Sequence, residues 1–199
     1  NVKTEEKFES YEEKIEKYGE PIDSEGVINN EFFGITNEFS ENKETTEGIN
    51  EAIEYASKNN IEYIKLNKGT YYIDGRTEND TQGARNKGVC LKSNITFDLN
   101  GSTLIHIPNS DTNYAVMSIL NQENVTIKNG ILLGDKEEHI DISGANDKGF
   151  GIDIRGGGYI VIDNLYIGNL TGDGILMREV DVDNITMIPH NIDIKNCII

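Results

Sequence analysis

The sequence predicts a mainly β protein that folds as a solenoid, a stack of short coils, behind an N-terminal helical segment. Beyond Gly88 the chain consists of short β-type runs separated by Asn, Gly and Asp, and no helical periodicity returns. Four segments in this region align at offsets of 30, 35 and 32 residues: NITFDLNG from Asn94, NVTIKNG from Asn124, YIVIDNL from Tyr159 and NIDIKNC from Asn191. Repeats of this length cannot bury an apolar face alone, so they must stack on one another.

Residues 1–20 predict a charged helix with one apolar stripe. The stripe consists of Phe8, Tyr11, Ile15 and Tyr18, spaced as on one helix face. This pattern indicates either a short coiled coil, which would join copies of the chain into a homotrimer, or a helix that lies against the rest of the protein. Pro21 ends the helix, and residues 21–45 form a polar connector anchored by Phe32 and Phe33.

The solenoid domain is predicted over residues 46–199. It begins with an amphipathic helix over about 47–58, which Thr46 caps. The runs IEYIKL and TYYID follow as two short strands around the turn Asn67-Lys68-Gly69, and the polar segment GRTENDTQGARNKG follows as a loop. The four repeats then predict about four coils.

Three consecutive glycines, at 156–158, lie between two apolar runs in GIDIRGGGYIVIDN. A dinucleotide-binding pattern would need glycine at 154, where the chain has Ile, and the Gly-Lys-Ser/Thr of a P-loop is absent. We therefore interpret the glycines as a corner between two strands. Four Asn-x-Thr sequences are interpreted likewise, as a turn asparagine before a strand threonine rather than as glycosylation sites; they start at Asn94, Asn124, Asn169 and Asn184.

The composition excludes several classes of function. Thirty-five acidic and 18 basic residues give a net charge of −17, which disfavours nucleic acid and anionic lipid as partners. No run is apolar enough to span a membrane, and no signal peptide is visible. Cys90 and Cys197 lie in apolar runs typical of core thiols. Because the chain starts at Asn1 and ends on apolar residues, we expect a piece truncated at its C-terminus.

Two stretches resemble a known superfamily. The helix TTEGINEAIEYASKNN before IEYIKLNKGTYYIDG, and the coil GIDIRGGGYIVIDNLYIGNLTGDGILM, are similar to the right-handed parallel β-helix proteins of the pectate lyase and polygalacturonase superfamily, which includes phage tailspikes. The resemblance covers residues 46–199. It implies a right-handed parallel β-helix with an N-terminal capping helix, here preceded by an extra helix. It also implies an asparagine stack at one corner, with Asn94 and Asn124 in it, Tyr159 interrupting it and Asn191 continuing it.

The resemblance implies a function in carbohydrate recognition, in a virion tail or at a cell surface. Active polygalacturonases place Asn-Thr-Asp before the strand matching GIDI, where this chain has Lys148-Gly149-Phe150, and Gly-Asp-Asp in the next coil, where it has Gly172-Asp173-Gly174. Glycosidic hydrolysis needs two positioned carboxyl groups, so we expect the catalytic part to be incomplete. The alternatives are a polysaccharide lyase or hydrolase, with Asp153 and Asp173 as catalytic candidates, and a purely structural tail or surface module.

Strand alternation places one set of outward residues along the coil axis: Lys92, Leu120, Arg155 and Arg178. The chain has four arginines, and two of them are in this column. Since coils stack about 4.8 Å apart, Arg155 and Arg178 could share one anionic group, such as a uronate of a polysaccharide or an internal carboxylate from Asp153, Glu179 or Asp181. The sequence thus predicts Lys92, Arg155 and Arg178 as carbohydrate-binding residues.

No cofactor or metal site is predicted, although the acidic segment GDKEEHIDISGANDKG (134–149) contains oxygen ligands suited to calcium. Its spacing matches no calcium-binding loop, and charged runs of this kind are usually solvated. His106, His139 and His190 have neither metal-ligand spacing nor an adjacent nucleophile, so no role is assigned to them.

Overall fold

The computed structural model describes residues 10–75, 88–111, 113–140 and 147–199. These residues form a right-handed parallel β-helix of about three turns behind a helical N-terminal cap. The predicted fold class is confirmed, and the three turns connect the four aligned repeats. No helix in the described ranges is long and apolar enough to cross a membrane.

Helices form the N-terminal cap of the described chain: α1 (Tyr11–Tyr18), α2 (Asn30–Phe33), a 3-10 helix (Phe39–Glu41) and α3 (Asn42–Lys58). Helix α3 begins five residues before the predicted start. Thr46, expected as its cap, is instead buried inside the helix, where its hydroxyl donates to the carbonyl of Asn42 (2.6 Å) and accepts from the amide of Asp74 (2.9 Å). The apolar face of α3 is fully buried; it consists of Ile49, Ala52, Ile53 and Ala56.

The aromatic stripe of α1 contacts the cap. The ring of Tyr11 lies 5.5 Å from that of Phe32 and 5.7 Å from that of Tyr55, and its hydroxyl donates to Glu51 at 2.9 Å. Tyr18 packs against the core, whereas Phe8 lies outside the described residues. This part of the stripe therefore anchors α1 to the cap.

The strands of the described chain form two sheets and a hairpin. The first sheet contains β1 (Tyr63–Lys65), β2 (Thr70–Ile73), β4 (Thr96–Asp98), β5 (Thr103–His106), β7 (Glu123–Leu133), β9 (Gly158–Gly168) and β13 (His190–Lys195). The second contains β3 (Val89–Cys90), β6 (Asn113–Leu120), β8 (Lys148–Arg155) and β10 (Ile175–Arg178). The hairpin consists of β11 (Val180–Val182) and β12 (Ile185–Met187), which pair antiparallel; the strand pairs within the two sheets are parallel.

The strand register reproduces the spacing of the sequence repeat. Thr96 pairs with Thr126, Thr126 with Val161, and Val161 with Asp193, at the offsets read from the aligned segments. Each repeat unit is therefore one coil, and equivalent positions form columns along the solenoid axis.

Left-handed residues bend each coil at both ends of the repeated segment. The first corner column has φ between 53° and 62° and contains Asn94, Asn124, Tyr159 and Asn191. The second corner column was not predicted from the sequence. It has φ between 53° and 61° and contains Asn100, Asn129, Asn164 and Asn196. Asparagine is the non-glycine residue that best tolerates this backbone. Asn169 and Asn184 are left-handed too, which confirms all four Asn-x-Thr sequences as turns.

The glycines at 156–158 form the predicted corner between β8 and β9. Gly156 and Gly157 have φ of 64° and 74°, and a Cβ on Gly157 would collide with the carbonyl oxygen of Gln122. A side chain is therefore excluded at this corner by both the backbone conformation and the close approach of the neighbouring coil.

Strands β7 and β9 bend at Asn129 and Asn164, which divides the first sheet into two arms. The first arm comprises β1, β4, β13 and the residues of β7 and β9 before the bend; the second comprises β2, β5 and the residues after it. Residues that alternation predicts as inward, such as Val89 and Ile152, are fully buried. Met177, which pairs in register with the buried Ile154, is 48% exposed because β10 is the edge strand of the second sheet.

Candidate functional site

The outer column of the second sheet has the predicted register. Arg155 in β8 pairs with Arg178 in β10, and Leu120 in β6 pairs with Arg155. Neighbouring parallel strands lie about 4.8 Å apart, so the two arginines start from adjacent positions on one face. The structure thus brings Arg155 and Arg178 together.

Arg155 is already neutralised by an internal carboxylate. Its Nε donates to both oxygens of Asp153, at 3.0 and 3.1 Å, and the Asp153 side chain has no exposed surface. Of the three internal carboxylates considered from the sequence, Asp153 is therefore the partner of Arg155. Strand alternation directs Asp153 outward like Arg155, yet Asp153 is buried, as are the residues paired with it in register, Ser118 and Leu176.

Arg178 has a different environment. It is exposed on the edge strand β10, and it forms no ion pair with any residue that the structure describes. Of this pair, Arg155 is therefore bonded to Asp153 and Arg178 is the exposed member.

Lys92 lies farther along the axis, beyond the end of β3. Its Nζ is 3.0 Å from a carboxylate oxygen of Glu54 in α3, which also pairs with Lys58 at 3.2 Å. Hydrogen bonds from Lys92, and then from Lys58, hold the pKa of Glu54 below its usual value. Lys92 also borders a groove of about 410 Å³ between α3 and the second sheet. The structure therefore separates Lys92 from the two arginines.

The two catalytic candidates lie at different register positions of the second sheet. Asp173 is exposed in the turn before β10, where its carbonyl accepts a hydrogen bond from the amide of Gly151 (3.2 Å). Asp153 pairs in register with Leu176, three residues farther along, and its carboxylate is buried against Arg155. Asp153 and Asp173 thus differ both in register position and in exposure, since the first is bonded to Arg155 and the second faces solvent.

A buried polar cluster joins the segments that follow β5 and β7 to the start of β6. The wholly buried Asp135 accepts hydrogen bonds through Oδ2 from the backbone and side-chain nitrogens of Asn109, at 3.0 and 2.9 Å, and its Oδ2 lies 2.9 Å from Nδ1 of His139. The ring of Tyr114 lies between His106 and His139, with centroid distances of 4.1 and 6.1 Å. Burial and the hydrogen bond to Asp135 raise the pKa of Tyr114 to about 12.

The sequence did not reveal this cluster, because GDKEEH has the appearance of a solvated acidic run. The i, i+4 spacing of Asp135 and His139 was the available signal. In the described ranges no group of three or more His, Cys, Asp or Glu side chains is placed to hold a metal ion. Of the acidic residues in the segment 134–149, Asp135 is engaged in the buried cluster, and Asp141 lies outside the described residues.

A charge ladder follows the outer face of the first arm. The charge at one in-register position changes sign from each coil to the next, in the order Lys65, Asp98, Lys128, Asp163 and Lys195. Lys128 Nζ lies 3.6 Å from Asp98 Oδ2. Burial alone would raise the pKa of Asp98, but hydrogen bonds from Asn100, Asn129 and Tyr63 lower it below its usual value. Aligning the four repeats would have revealed this alternation.

Comparisons with known proteins identify relatives but no family. No family model matches the chain, and no solved structure matches it. Two proteins of Bacillus subtilis (strain 168) are similar to it: the uncharacterized protein YclG, 32% identical over 159 residues, and the SPbeta prophage-derived uncharacterized protein YorA, 34% identical over 147 residues. The matches cover 77% and 70% of this chain but 27% and 25% of the relatives, so the chain spans about a quarter of their length.

Proposed function

We propose that this chain is a carbohydrate-recognising β-helix module of a phage-tail-like or surface-associated protein, similar to the tailspike members of the pectate lyase superfamily. Its ligand is a polysaccharide with acidic sugar units. The module binds without cleaving, and any catalytic centre belongs to other coils or to a contact between subunits.

The exposed guanidinium of Arg178 beside the neutralised Arg155 is the observation that supports this proposal. A guanidinium presents a planar set of donors that matches a carboxylate in two parallel hydrogen bonds. Asp153 removes the repulsion that two adjacent arginines would otherwise exert, so one acidic sugar suffices to complete the site.

The carboxylates at this face favour binding over cleavage. Asp153 is buried and bonded to Arg155, so it is not free to transfer a proton to a glycosidic oxygen in solvent. Support for the tail context comes from the relative whose name describes it as prophage-derived.

The test is the affinity of the purified chain for oligogalacturonate, measured by isothermal titration calorimetry. Arg178→Gln removes the open cation from a solvent-exposed position, and we expect the dissociation constant to rise about tenfold, the equivalent of roughly 1.4 kcal/mol. Lys195→Gln, which makes the same change in net charge on the first arm, should leave the affinity unchanged.

Equal losses in the two variants, or no binding of acidic oligosaccharides by the parent chain, would contradict the proposed site. The same incubations are assayed for unsaturated and reducing ends. Appearance of either product would favour the lyase or hydrolase alternative, and a complete lack of glycan binding would favour the purely structural module.

A further inference from the structure

His106 is a buried histidine whose two ring nitrogens both contact backbone groups. It is the last residue of β5 and is 1% exposed. The amide nitrogen of Gly75, the second residue after β2, lies 3.0 Å from Nε2, and the carbonyl oxygen of Ile107 lies 2.7 Å from Nδ1. Because Ile73 pairs in register with His106, the bond between Gly75 and His106 joins two neighbouring coils.

These two partners determine which ring nitrogen carries the proton. A backbone amide only donates, so Nε2 of His106 must accept the hydrogen bond from Gly75 with its lone pair. A carbonyl oxygen only accepts, so Nδ1 must donate to Ile107. The other neutral tautomer would set N–H against N–H at Nε2 and lone pair against lone pair at Nδ1. His106 is therefore a neutral imidazole with its proton on Nδ1.

The titratable groups that the structure places around His106 are Tyr114, Asp135 and His139. The ring of Tyr114 lies 4.1 Å from that of His106, and His139 lies beyond Tyr114. Burial, as the largest cause, raises the pKa of Tyr114 to about 12, so its hydroxyl keeps its proton at neutral pH. Asn109 lies between Asp135 and His106, with its Nδ2 2.9 Å from Oδ2 of Asp135 and 3.2 Å from Nδ1 of His106. The carboxylate thus bonds Asn109 and His139 rather than His106.

Gly75 is closely packed where it meets His106. A Cβ at this position would collide with the carbonyl oxygen of Ala115 and with the imidazole ring. The preceding amide, that of Asp74, donates to the hydroxyl of Thr46 in α3 at 2.9 Å. Two consecutive amides therefore hold the chain that leaves β2, one bonded to the cap and the other to the neighbouring coil.

We propose that the hydrogen bond between Gly75 and His106 is an acid-sensitive latch, closed while His106 is neutral and opened when His106 takes up a second proton. A proton on Nε2 occupies the lone pair that accepts from Gly75 and sets two N–H groups against each other. Opening releases the chain after β2 from the neighbouring coil, whereas the bond from Asp74 to Thr46 has no titrating partner and remains. The inference goes beyond carbohydrate recognition and does not depend on it.

The latch responds to pH with a definite sign. In the open state His106 titrates like an ordinary histidine, at about pH 6.5. The closed state binds no second proton at His106, so below that pH the open state binds more protons and becomes favoured. The latch is therefore fully stable above about pH 6.5 and loses stability as the pH falls. Between about pH 7.5 and about pH 5.5, one proton raises the equilibrium constant for opening about tenfold.

Amide hydrogen exchange of the full chain, resolved by residue with NMR, tests the proposal. The protection factor of the Gly75 amide should fall about tenfold between about pH 7.5 and about pH 5.5. The control is the amide of Gly156, which is also buried and donates at the same distance, 3.0 Å, to the backbone carbonyl of Arg178. A carbonyl group does not titrate, so the protection factor of Gly156 should stay constant.

His106→Gln supplies a side-chain oxygen that accepts from Gly75 at either pH, and this variant should abolish the pH dependence at Gly75. His190→Gln is the matched control, because it makes the same change at an exposed histidine, and it should retain the dependence of the parent chain. A second measurement needs no variant: a long-range proton–nitrogen correlation spectrum of the parent at the higher pH should show the His106 proton on Nδ1.

Loss of protection at Gly75 alone, abolished by His106→Gln and retained in His190→Gln, supports the proposal. It is overturned if the His106 proton lies on Nε2, if Gly75 and Gly156 lose protection equally, or if His106→Gln keeps the pH dependence of the parent. His139→Gln provides a further check, since loss of the dependence in that variant alone would assign the acid response to His139 and would likewise overturn the latch.

Discussion

Asp135 is a buried carboxylate that joins two inter-strand segments. It holds Asn109, in the segment after β5, and His139, in the segment after β7, through one oxygen. Its second oxygen, Oδ1, and Nε2 of His139 are buried and have no hydrogen-bond partner among the residues that the structure describes. A buried polar group without a hydrogen bond raises the free energy of the folded state. The three hydrogen bonds at Oδ2 therefore stabilise the cluster.

Asp135→Ala should lower the free energy of unfolding by about 3 kcal/mol, because the buried backbone N–H of Asn109 and Nδ1 of His139 both lose the carboxylate that bonds them. Urea denaturation measures the change. Glu137→Ala, at an exposed site in the same segment, should change stability by less than about 0.5 kcal/mol. Similar values for the two variants would mean that the buried cluster contributes nothing to stability.

At the scale of elements, the corners determine the shape of each coil. Asn129 has a φ of 61°, and its amide donates to both oxygens of Asp98 in the preceding coil, at 3.1 Å each. Asn164 in turn donates to Asn129 at 3.0 Å. Asn129 and Asn164 therefore tolerate the left-handed backbone and also bond neighbouring coils to one another.

Asn129→Ala should destabilise the protein more than Asn129→Gly, by about 1 kcal/mol. Both variants lose the bonds to Asp98, but only alanine retains the steric cost of a left-handed backbone. The free energy of unfolding in urea is again the measurement. Thr126 in the same strand, which is not left-handed, serves as the reference: there Gly should be worse than Ala, and the same order at both positions would refute the corner argument.

The coils were predictable because apolar alternation and a fixed repeat length specify which residues pair across a solenoid. The offsets of the aligned segments are the observed register. The start of α3 was not predictable from local signals. Threonine is a common helix cap, yet the hydroxyl of Thr46 lies inside the helix and accepts a hydrogen bond from the amide of Asp74, the residue after β2. Long-range partners of this kind leave no mark on the local sequence.

At the scale of the whole molecule, the net charge of −17 opposes compaction. We expect the urea midpoint of unfolding to rise with NaCl and to level off above about 0.1 M, where the Debye length falls to about 10 Å. KCl at equal ionic strength should act alike. A midpoint that falls with added salt would indicate that ion pairs such as Lys128–Asp98 outweigh the overall repulsion.

The sequence predicted which residues of the candidate site lie together, but it did not predict their burial or their ion-pair partners. Column counting brought Arg155 and Arg178 together correctly, because register follows from the repeat. Which of the two arginines is open to a ligand depends on burial, and alternation alone does not reveal that the outward Asp153 is covered. Likewise, Lys92 is engaged by Glu54 of a helix distant in sequence.

Because Lys and Asp alternate along the first arm, each coil carries the opposite charge to its neighbour at this position and the same charge as the next coil but one. Excision of the coil that contributes Lys128 would set the carboxylates of Asp98 and Asp163 side by side, whereas excision of two consecutive coils would restore opposite neighbours. The charge at this position thus repeats every two coils, whereas the backbone repeats every coil. We expect chains of this kind to lengthen or shorten by two coils at a time.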